Sequence, residues 1–338
     1  MTAMADEILR IEGLVKWYPK KSGFYPRKVS NLQAVDGVSL SVKKGETLGV
    51  VGESGCGKTT LARTVMRLTE PTKGSIVFEG TDIAKLRGRK LRPFRRRMQM
   101  VFQDPYASLD PRQNVRSAIM EPIRIHRVAK SSQEAQMMAA DLIEEVGLNP
   151  DHLSRFPHEF SGGQRQRIAL AIALAVSPEF MVLDEPTSSL DVSVQAQTLS
   201  LLRRLQRDRS LTYMFISHNL AVIREVCDRV AVMYLGRVVE VAPTSVLFNN
   251  PKHPYTVALL SSIPVPDPSK RKELVPLAGD VPSPVDIPAG CRFRARCAFS
   301  TSKCADVSPQ LVQVEKDHWV ECLYDIDFMA KTKSELSA

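Results

Sequence analysis

The chain has 338 residues, 43% of them hydrophobic and 25% charged, and it carries a formal net charge of +9. This composition is ordinary for a soluble globular protein, and the length suffices for two domains. No apolar stretch approaches the roughly 20 residues of a membrane-spanning helix, and the N-terminus, with Asp6 and Glu7, has no apolar signal core. We therefore expect a cytoplasmic protein that works at a membrane only by docking to a partner.

The predicted strands of the first third surround one loop and one helix. Alternating and apolar runs predict strands over residues 8–11, 34–42, 47–51, 75–79 and 98–102. The last of them ends at Gln103, and residues 61–66 are predicted to be helical. The densest basic run follows at 85–97, with eight Lys or Arg in thirteen positions. Because Phe94 is its one aromatic residue, the run favours a solvated helix with a basic face over a nucleic-acid site.

Helical spacing dominates residues 112–176. Residues 135–146 carry apolar side chains at helical intervals, and Gly147 is expected to end that helix. Predicted strands return over residues 181–183, 212–216, 230–234 and 237–240. Strands that alternate with helices predict an α/β core with a parallel sheet, here interrupted by a helical insertion.

The composition changes after Pro243, because ten prolines fall between Pro243 and Pro288. Such a segment is not expected to continue a regular sheet, so we predict a linker or an extended arm. It leads to a cysteine-rich end, and residues 331–338 are predicted to form a frayed tail.

Residues 52–59, Gly-Glu-Ser-Gly-Cys-Gly-Lys-Thr, follow the pattern G-x-x-x-x-G-K-[ST] between a predicted strand and a predicted helix. In this context the glycines let backbone N–H groups converge on nucleotide phosphates at the positive end of a helix. Lys58 adds a charge to those phosphates, and the Thr59 hydroxyl suits Mg²⁺. The context argues against a glycine-rich turn without function. The expected nucleotide-binding residues are Gly52, Ser54, Gly55, Gly57, Lys58, Thr59 and Thr60.

Two adjacent acids follow the predicted strand 181–183. Asp184 is placed to hold Mg²⁺, and Glu185 is placed to orient and polarise an attacking water. A strand end capped by surface acids is the more common meaning of such a pair. The phosphate-type loop earlier in the chain favours the catalytic interpretation.

The run Phe-Ser-Gly-Gly-Gln-Arg-Gln at 160–166 precedes a helical segment. It predicts a helix N-terminus with exposed amides and a hydroxyl, suited to a second γ-phosphate. Since the chain already has one phosphate loop, the second anion site implies ATP bound by a partner. The alternative is an ordinary capped helix of the insertion.

These patterns together resemble the nucleotide-binding subunit of an ABC transporter. The resemblance identifies residues 52–59 as the Walker A loop and Asp184 and Glu185 as the Walker B acids. It further implies Gln103 as the Q-loop glutamine near Mg²⁺, Ser161, Gly162, Gly163 and Gln164 as the signature motif, Asp191 as the D-loop aspartate, His218 as the switch histidine and Tyr18 as the aromatic stacked on adenine. Phe160, Ser189 and Asn219 stand where Leu, Ala and Asp are more usual, and none of these is expected to abolish hydrolysis.

The resemblance implies a P-loop α/β domain over residues 1–243, with a mixed sheet core and a helical subdomain at about 104–176. It also implies a small, irregular, cysteine-rich domain over residues 244–338. Two such ATPases would dimerise head to tail around ATP, and hydrolysis would reopen the dimer. That motion would drive alternating access in two transmembrane permease subunits docked near Gln103.

Residues 250–256, 103–112 and 160–167 resemble the peptide-importer group of this family. Within it the chain looks most like the second ATPase subunit of a dipeptide importer. This implies a paralogous ATPase partner, two permease subunits, a substrate-binding protein, a peripheral place at the cytoplasmic face of the inner membrane, and no nucleic acid. One alternative is another cargo, such as a nickel complex, an opine, glutathione or an antimicrobial peptide. The other is a non-transport ABC ATPase acting on nucleic acid or ribosomes, although those usually carry two nucleotide domains in one chain.

Four cysteines, Cys291, Cys297, Cys304 and Cys322, are separated by five, six and seventeen residues. Four thiolates can hold a [4Fe–4S] cluster or zinc. Zinc sites favour closely spaced pairs, which are absent, so the wider gaps favour a cluster, as the resemblance also implies. Unliganded thiols or disulfides are the remaining alternative. Cys227 is expected to be structural, and Cys56 is expected to make the phosphate loop sensitive to thiol reagents.

Overall fold

The computed structural model describes residues 6–21, 29–104, 108–188, 190–263, 279, 282–285 and 287–324. The strands are β1 (Glu7–Lys21), β2 (Val29–Lys43), β3 (Thr47–Val51), β4 (Lys73–Phe78), β5 (Thr81–Asp82), β6 (Met98–Val101), β7 (Phe180–Asp184), β8 (Thr212–Ile216), β9 (Arg229–Tyr234), β10 (Arg237–Pro243), β11 (Val312–Glu315) and β12 (His318–Val320). The helices are α1 (Lys58–Val65), α2 (Arg92–Arg97), α3 (Val115–Ile125), α4 (Ser132–Glu145), α5 (Gly162–Leu174), α6 (Val192–Arg209), α7 (Leu220–Val226), α8 (Thr244–Asn249), α9 (Pro254–Ser261) and α10 (Lys303–Asp306). Short 3-10 turns lie at Gly88–Leu91, Pro150–Ser154, Pro157–Glu159 and Arg294–Arg296.

The chain divides into two compact units. The first comprises residues 1–8, 42–46 and 85–216, and it contains β6, β7, β8 and the helices α2 to α6. These strands run parallel in the order β6-β7-β8, and every residue of β7 and β8 is buried. Full burial on both faces explains why both strands are continuous apolar runs rather than alternating ones.

The second unit comprises residues 9–41, 47–84 and 217–338. In this unit, strands β1, β2, β4 and β5 form one sheet, in the order β2-β1-β4-β5. Its other strands follow the order β11-β12-β10-β9-β3, where β3 and β9 are parallel and β9, β10, β12 and β11 pair antiparallel. The sheet is therefore mixed, as the family resemblance implied. The parallel pairing expected from the alternation of elements is found for β3 with β9 and for β6, β7 and β8, whereas β10, β11 and β12 add antiparallel strands.

Local signals located many elements correctly. The strands predicted at 47–51 and 212–216 have those bounds, and residues 112–176 form α3, α4 and α5. Gly147 takes a left-handed φ of 76° just after α4, which explains why the helix ends there. None of the residues of α2 is buried, as expected for the basic run. No helix of the described residues is long and apolar enough to cross a membrane.

The segment after Pro243 is more ordered than predicted. It forms α8 and α9, so the prediction of a linker or extended arm is wrong for those parts. Beyond that segment, β12 pairs with β10 through Glu240↔Val320. Residues 264–278 and the predicted tail at 331–338 lie outside the described residues.

Glu240 shows what holds this region to the sheet. Its fully buried carboxylate accepts hydrogen bonds from the backbone N–H groups of Lys252 and His253, at 2.7 and 3.0 Å. It also contacts His318 Nε2 at 2.7 Å. One side chain on β10 thus ties together the start of α9 and strand β12, because a buried carboxylate needs several donors to be stable.

Candidate active site

The glycine-rich loop begins where the buried strand β3 ends and finishes at the first residue of α1. A Cβ at Gly52 would lie 2.2 Å from the carbonyl oxygen of Met233, and one at Gly57 would lie 2.1 Å from that of Ala34. Gly55 has open space around it but a left-handed φ of 78°. Only glycine fits these three positions, so the loop backbone itself forms the surface presented to a ligand.

Lys58 is buried beneath this loop. Its Nζ donates to the carbonyl oxygens of Gly52 and Glu53, at 2.7 and 3.0 Å. Thr59 and Thr60 follow in the first turn of α1, which contains no acidic residue. Ser54 and Gly55 are exposed at the tip of the loop. A helix N-terminus with a buried cation and no carboxylate in its first turn favours a bound anion.

The second cluster lies at the carboxyl end of β7. Asp184 is buried at the end of that strand, and Glu185 follows in a left-handed conformation with a φ of 49°. Its backbone N–H donates to the carbonyl oxygen of Ile216, at 2.9 Å. A left-handed conformation in a residue other than glycine costs about 1–3 kcal/mol and is concentrated at functional sites.

Gln103 lies against Glu185, a contact that was not predicted from the sequence. Its Nε2 donates to Glu185 Oε2 at 2.8 Å, and the glutamine side chain is exposed. The hydrogen bond fixes the orientation of the carboxylate without neutralising it. A carboxylate held in this way has the geometry expected of a general base, and that role of Glu185 stays a prediction.

Ser161 and Gln164 form a capping box at the start of α5. Ser161 Oγ accepts from the backbone N–H of Gln164 at 3.3 Å, and Gln164 Oε1 accepts from that of Ser161 at 3.0 Å. Gly162 is exposed, and a Cβ at Gly163 would lie 2.5 Å from Val194 Cγ1. The glycine at position 163 thus allows α5 to pack closely against α6.

Asp191 caps the start of α6. Its Oδ1 accepts hydrogen bonds from Ser193 Oγ and from the backbone N–H of Val194, at 2.7 and 2.9 Å. These hydrogen bonds lower the pKa of the Asp191 carboxyl, so it stays ionised at neutral pH. Ser189, the other D-loop position singled out from the sequence, lies outside the described residues.

Tyr18 and His218 belong to the same unit as the glycine loop. Tyr18 lies on β1 with 38% of its surface exposed, and Lys16 Nζ lies 4.7 Å from the centre of its ring. His218 is exposed just before α7. The neighbouring Asn219 caps α7 by accepting from the N–H groups of Ala221 and Val222, which explains why either Asn or Asp serves at that position.

The predicted site residues are therefore divided between the units. The glycine loop, Tyr18 and His218 belong to the second unit, and Gln103, Asp184, Glu185, residues 161–164 and Asp191 belong to the first. Within the units, the structure brings together Gln103 with Glu185 and Lys58 with the loop carbonyls. The binding roles of these residues stay predictions.

Sequence reasoning missed two side chains that contact the glycine loop from far along the chain. Tyr255 and Arg296 both bond to Glu53, over separations of 202 and 243 residues. The one available signal was the motif around Tyr255, which was noticed only as a family feature. A contact over such a separation has no local pattern in the sequence.

The predicted iron–sulfur site is not supported by the structure. Among the described residues, no group of three or more His, Cys, Asp or Glu side chains is arranged to hold a metal ion. None of the four C-terminal cysteines forms a disulfide in the described part of the chain, and burial is the main cause that raises the pKa of the Cys291 thiol to about 11 and also raises that of Cys297. Neighbouring thiols contribute to both shifts.

We expect Cys56 to be less reactive than its place in the glycine loop suggested. It is 3% exposed, and burial raises the pKa of its thiol, although the nearby Lys58 opposes that shift. Only the thiolate reacts with alkylating agents, so a raised pKa leaves a smaller reactive fraction at neutral pH.

We expect iodoacetamide to modify Cys56 at least tenfold more slowly in the folded chain than in the urea-unfolded chain, which serves as the control. The rate of Cys56 modification should keep rising at pH values where an ordinary thiol is already ionised, because the pKa of Cys56 is raised. Mass spectrometry of the peptide that carries Cys56 measures the adduct. Equal rates in the folded and unfolded chains would contradict the expected protection.

Comparison with known proteins agrees with both the loop and the C-terminal segment. Residues 35–188 match the family model described as ABC transporter, and residues 239–304 match the one described as oligopeptide/dipeptide transporter, C-terminal region. The chain is 49% identical to the putative oligopeptide transport ATP-binding protein YkfD of Bacillus subtilis, over 89% of this chain and 92% of that protein. It is also 49% identical to the oligopeptide transport ATP-binding protein AppF of the same organism, over 95% of this chain and 99% of AppF.

The fold has solved relatives as well. The ATP-binding cassette MJ0796, in a dimeric post-hydrolysis state bound to ADP and Pi, is similar with a TM-score of 0.62 and 27% identity. The similarity covers 70% of this chain and 98% of that chain. CbiO1 from Clostridium perfringens, described as part of an ABC transporter complex, is similar with a TM-score of 0.60 and 26% identity, over 72% of this chain and 91% of that chain.

Proposed function

Since the chain belongs to the ATP-binding proteins of ABC transporters, in the group with the oligopeptide/dipeptide transporter C-terminal region, we propose that it is the ATP-hydrolysing motor subunit of a bacterial importer of dipeptides or oligopeptides. The observation that supports this proposal is the length of chain over which it resembles its relatives. Relatives named for oligopeptide or peptide transport align over 89% to 95% of the chain at 48% to 50% identity. The similarity thus includes the segment beyond the nucleotide-binding region.

The proposed division of labour follows from the chemistry of each cluster. The loop amides and Lys58 would bind the phosphates, and Tyr18 would stack on adenine. Glu185, oriented by Gln103, would accept a proton from the attacking water, and His218 would contact the γ-phosphate. Thr59, Asp184 and Gln103 offer the oxygen ligands that Mg²⁺ prefers, so the donor set fits that ion. Bound Mg²⁺ would neutralise charge on the phosphates.

We place the second half of each ATP site on a partner ATPase. Residues 161–164 and Asp191 would face the nucleotide held by that partner, in a head-to-tail dimer whose other member is a paralogous subunit. Two transmembrane permease subunits and a substrate-binding protein would complete the importer, with this chain peripheral at the cytoplasmic face of the inner membrane. The proposed domains are residues 1–243, with the helical subdomain at about 104–176, and residues 244–338.

Replacing Ser161 by Ala should impair the partner's site and leave this chain's own nucleotide affinity within about twofold. The assembled ATPase should slow roughly tenfold or more, because one donor to the partner's phosphate is lost. Ser131→Ala is the matched control, since Ser131 caps α4 through the same bond, from Glu134 N–H to Oγ at 3.1 Å. Both variants lose a cap worth about 1 kcal/mol, so equal loss of activity in both would mean that Ser161 acts only as a cap.

Reconstitution tests the proposed function directly. The chain would be assembled with candidate permease subunits in proteoliposomes, and ATP hydrolysis would be measured with the candidate binding protein and a panel of cargos. Stimulation by dipeptides or oligopeptides supports the proposal. Stimulation only by a nickel complex, an opine, glutathione or an antimicrobial peptide would change the cargo and keep the motor role. Failure to join any permease, together with stimulation by nucleic acid or ribosomes, would favour a non-transport ATPase.

The [4Fe–4S] cluster stays a prediction, and chemical analysis decides it. The full chain would be purified anaerobically and assayed for iron, acid-labile sulfide and zinc. About four irons and four sulfides per chain would restore a cluster at the four cysteines. Stoichiometric zinc would replace it by a zinc site, and the absence of both would leave free thiols.

A further inference from the structure

Glu53, the second residue of the glycine loop, is held on both its backbone and its side chain by the C-terminal segment. Its backbone N–H donates to Tyr255 Oη at 2.9 Å. Its carboxylate oxygens accept from the two terminal nitrogens of Arg296, at 2.7 and 3.0 Å. This is a bidentate, charge-assisted pair, the strongest kind of side-chain hydrogen bonding in proteins.

The two groups that hold Glu53 are themselves rigid. Tyr255 is fully buried and packs against the rings of Tyr234 and Phe293, at centroid distances of 4.7 and 5.5 Å. The side chain of Arg296 is 6% exposed, and its guanidinium lies 5.9 Å from the centre of the Tyr234 ring. Burial raises the pKa of the Tyr255 phenol, so the hydroxyl stays protonated and accepts from Glu53 while keeping its proton. An anchor buried in an aromatic cluster can fix the position of the loop residue that it contacts.

Glu53 also accepts a hydrogen bond from the buried Lys58. Its carbonyl oxygen accepts from Lys58 Nζ at 3.0 Å and from the backbone N–H of Cys56 at 3.3 Å. The position of Glu53 therefore sets both the turn of the loop and the place of the buried lysine. In addition, Arg296 neutralises the one carboxylate within the glycine loop, which would otherwise repel a polyphosphate.

We propose that Arg296 and Tyr255 are positioning residues for the phosphate-binding loop, through which the C-terminal segment sets the affinity for nucleotide. The proposal rests on the ATP-binding role of the loop and is independent of the cargo. Arg296 contributes in two ways, by fixing the backbone of Glu53 and by cancelling its charge. Tyr255 contributes only the first.

The two contributions predict an unusual order of affinities. In the full chain, Arg296→Ala should weaken MgATP binding roughly tenfold, because it leaves an unpaired carboxylate beside the phosphates. Glu53→Gln should change the affinity for MgATP by less than about threefold. This variant removes the negative charge of Glu53, so Arg296 is no longer required to neutralise it. The double variant should bind ATP more tightly than Arg296→Ala alone. Tyr255→Phe should weaken binding by a few-fold, since it removes one neutral hydrogen bond.

Arg294→Ala is the matched control, since Arg294 lies in the same 3-10 turn but donates to the carbonyl oxygens of Ala289 and Ala305. The measurements are the dissociation constant for MgATP, KM and kcat of hydrolysis, and the midpoint of thermal unfolding without nucleotide. We expect Arg296→Ala to raise KM with kcat within about twofold, and Arg296→Lys to recover part of the affinity.

Two results would overturn the proposal. The first is an Arg296→Ala chain whose ATP affinity equals that of the wild type or falls no further than that of Arg294→Ala. The second is a double variant no better than Arg296→Ala, because a purely structural contact predicts no recovery when the carboxylate is also removed. If Arg296→Ala does not fold, the proposal is tested with Tyr255→Phe and Arg296→Lys. A dissociation constant for MgATP that is unchanged in both variants would exclude the positioning role.

Discussion

Glu185→Gln will lower kcat for ATP hydrolysis at least 100-fold in the assembled transporter while leaving ATP bound, the expected loss for a general base. Glutamine has nearly the same shape as glutamate, and its carbonyl oxygen can still accept the hydrogen bond that Gln103 gives to Oε2. The variant thus keeps the geometry and loses only the ability to take a proton from water. Single-turnover hydrolysis, together with the ATP retained on a filter, separates slow chemistry from weak binding.

Glu179→Gln is the matched control for this variant. Glu179 immediately precedes β7, and its carboxylate pairs with Arg97, with Arg97 Nη2 at 2.6 Å. The control loses an ion pair at the opposite end of β7 from Glu185 and should keep turnover within about twofold, since such partly exposed pairs contribute only about 1 kcal/mol or less to stability. Turnover by Glu185→Gln at the wild-type rate would remove Glu185 from the mechanism.

Lys58→Ala will weaken MgATP binding by roughly 10- to 100-fold, because it removes a buried charge from the phosphate site. It will also lower the free energy of unfolding by about 1–2 kcal/mol without nucleotide, since the carbonyl oxygens of Gly52 and Glu53 lose their donor. Lys58→Met separates the two effects from simple loss of volume, because it keeps most of the aliphatic stem. Equilibrium dialysis and thermal unfolding measure the two quantities.

Lys73→Ala is the control for Lys58→Ala. Lys73 lies on β4 in the same unit, exposed, with its Nζ 5.8 Å from the centre of the Trp17 ring. This exposed cation should have little effect on nucleotide affinity. If both lysine variants weakened ATP binding equally, the effect would come from net charge rather than from the loop.

The features that could be predicted from the sequence are those determined by residues close together along the chain. The strand at 212–216 and the end of α4 near Gly147 depend on neighbouring residues, and so does the capping box of Ser161 with Gln164. The glycine loop was recognisable because its pattern is contiguous in the sequence, although the close contacts that require glycine at positions 52 and 57 come from the distant residues Met233 and Ala34. The contact of Gln103 with Glu185 was not predicted, since 82 residues separate them.

The features that could not be predicted depend on contacts between residues far apart along the chain. The antiparallel pairing of β10 with β12 joins residues such as Val241 and Trp319, and no local periodicity encodes it. β1 was underestimated because its 15 residues run on from Ile8 through the more polar stretch that carries Lys16. The spacing of the four cysteines indicated a metal cluster, but ligation depends on how the thiols are brought together in three dimensions.

The buried carboxylate of Glu240 has a consequence for any attempt to shorten the protein. Cutting the chain after Pro243 would remove β12, so β10 would become a bare edge strand with unsatisfied N–H and C=O groups. The same cut would strip Glu240 of the donors supplied by Lys252, His253 and His318 and leave an uncompensated charge within the core. A truncated chain is therefore expected to self-associate through its exposed β10 edge, and its loss of activity would reflect this aggregation as well as the loss of Tyr255 and Arg296 from the glycine loop.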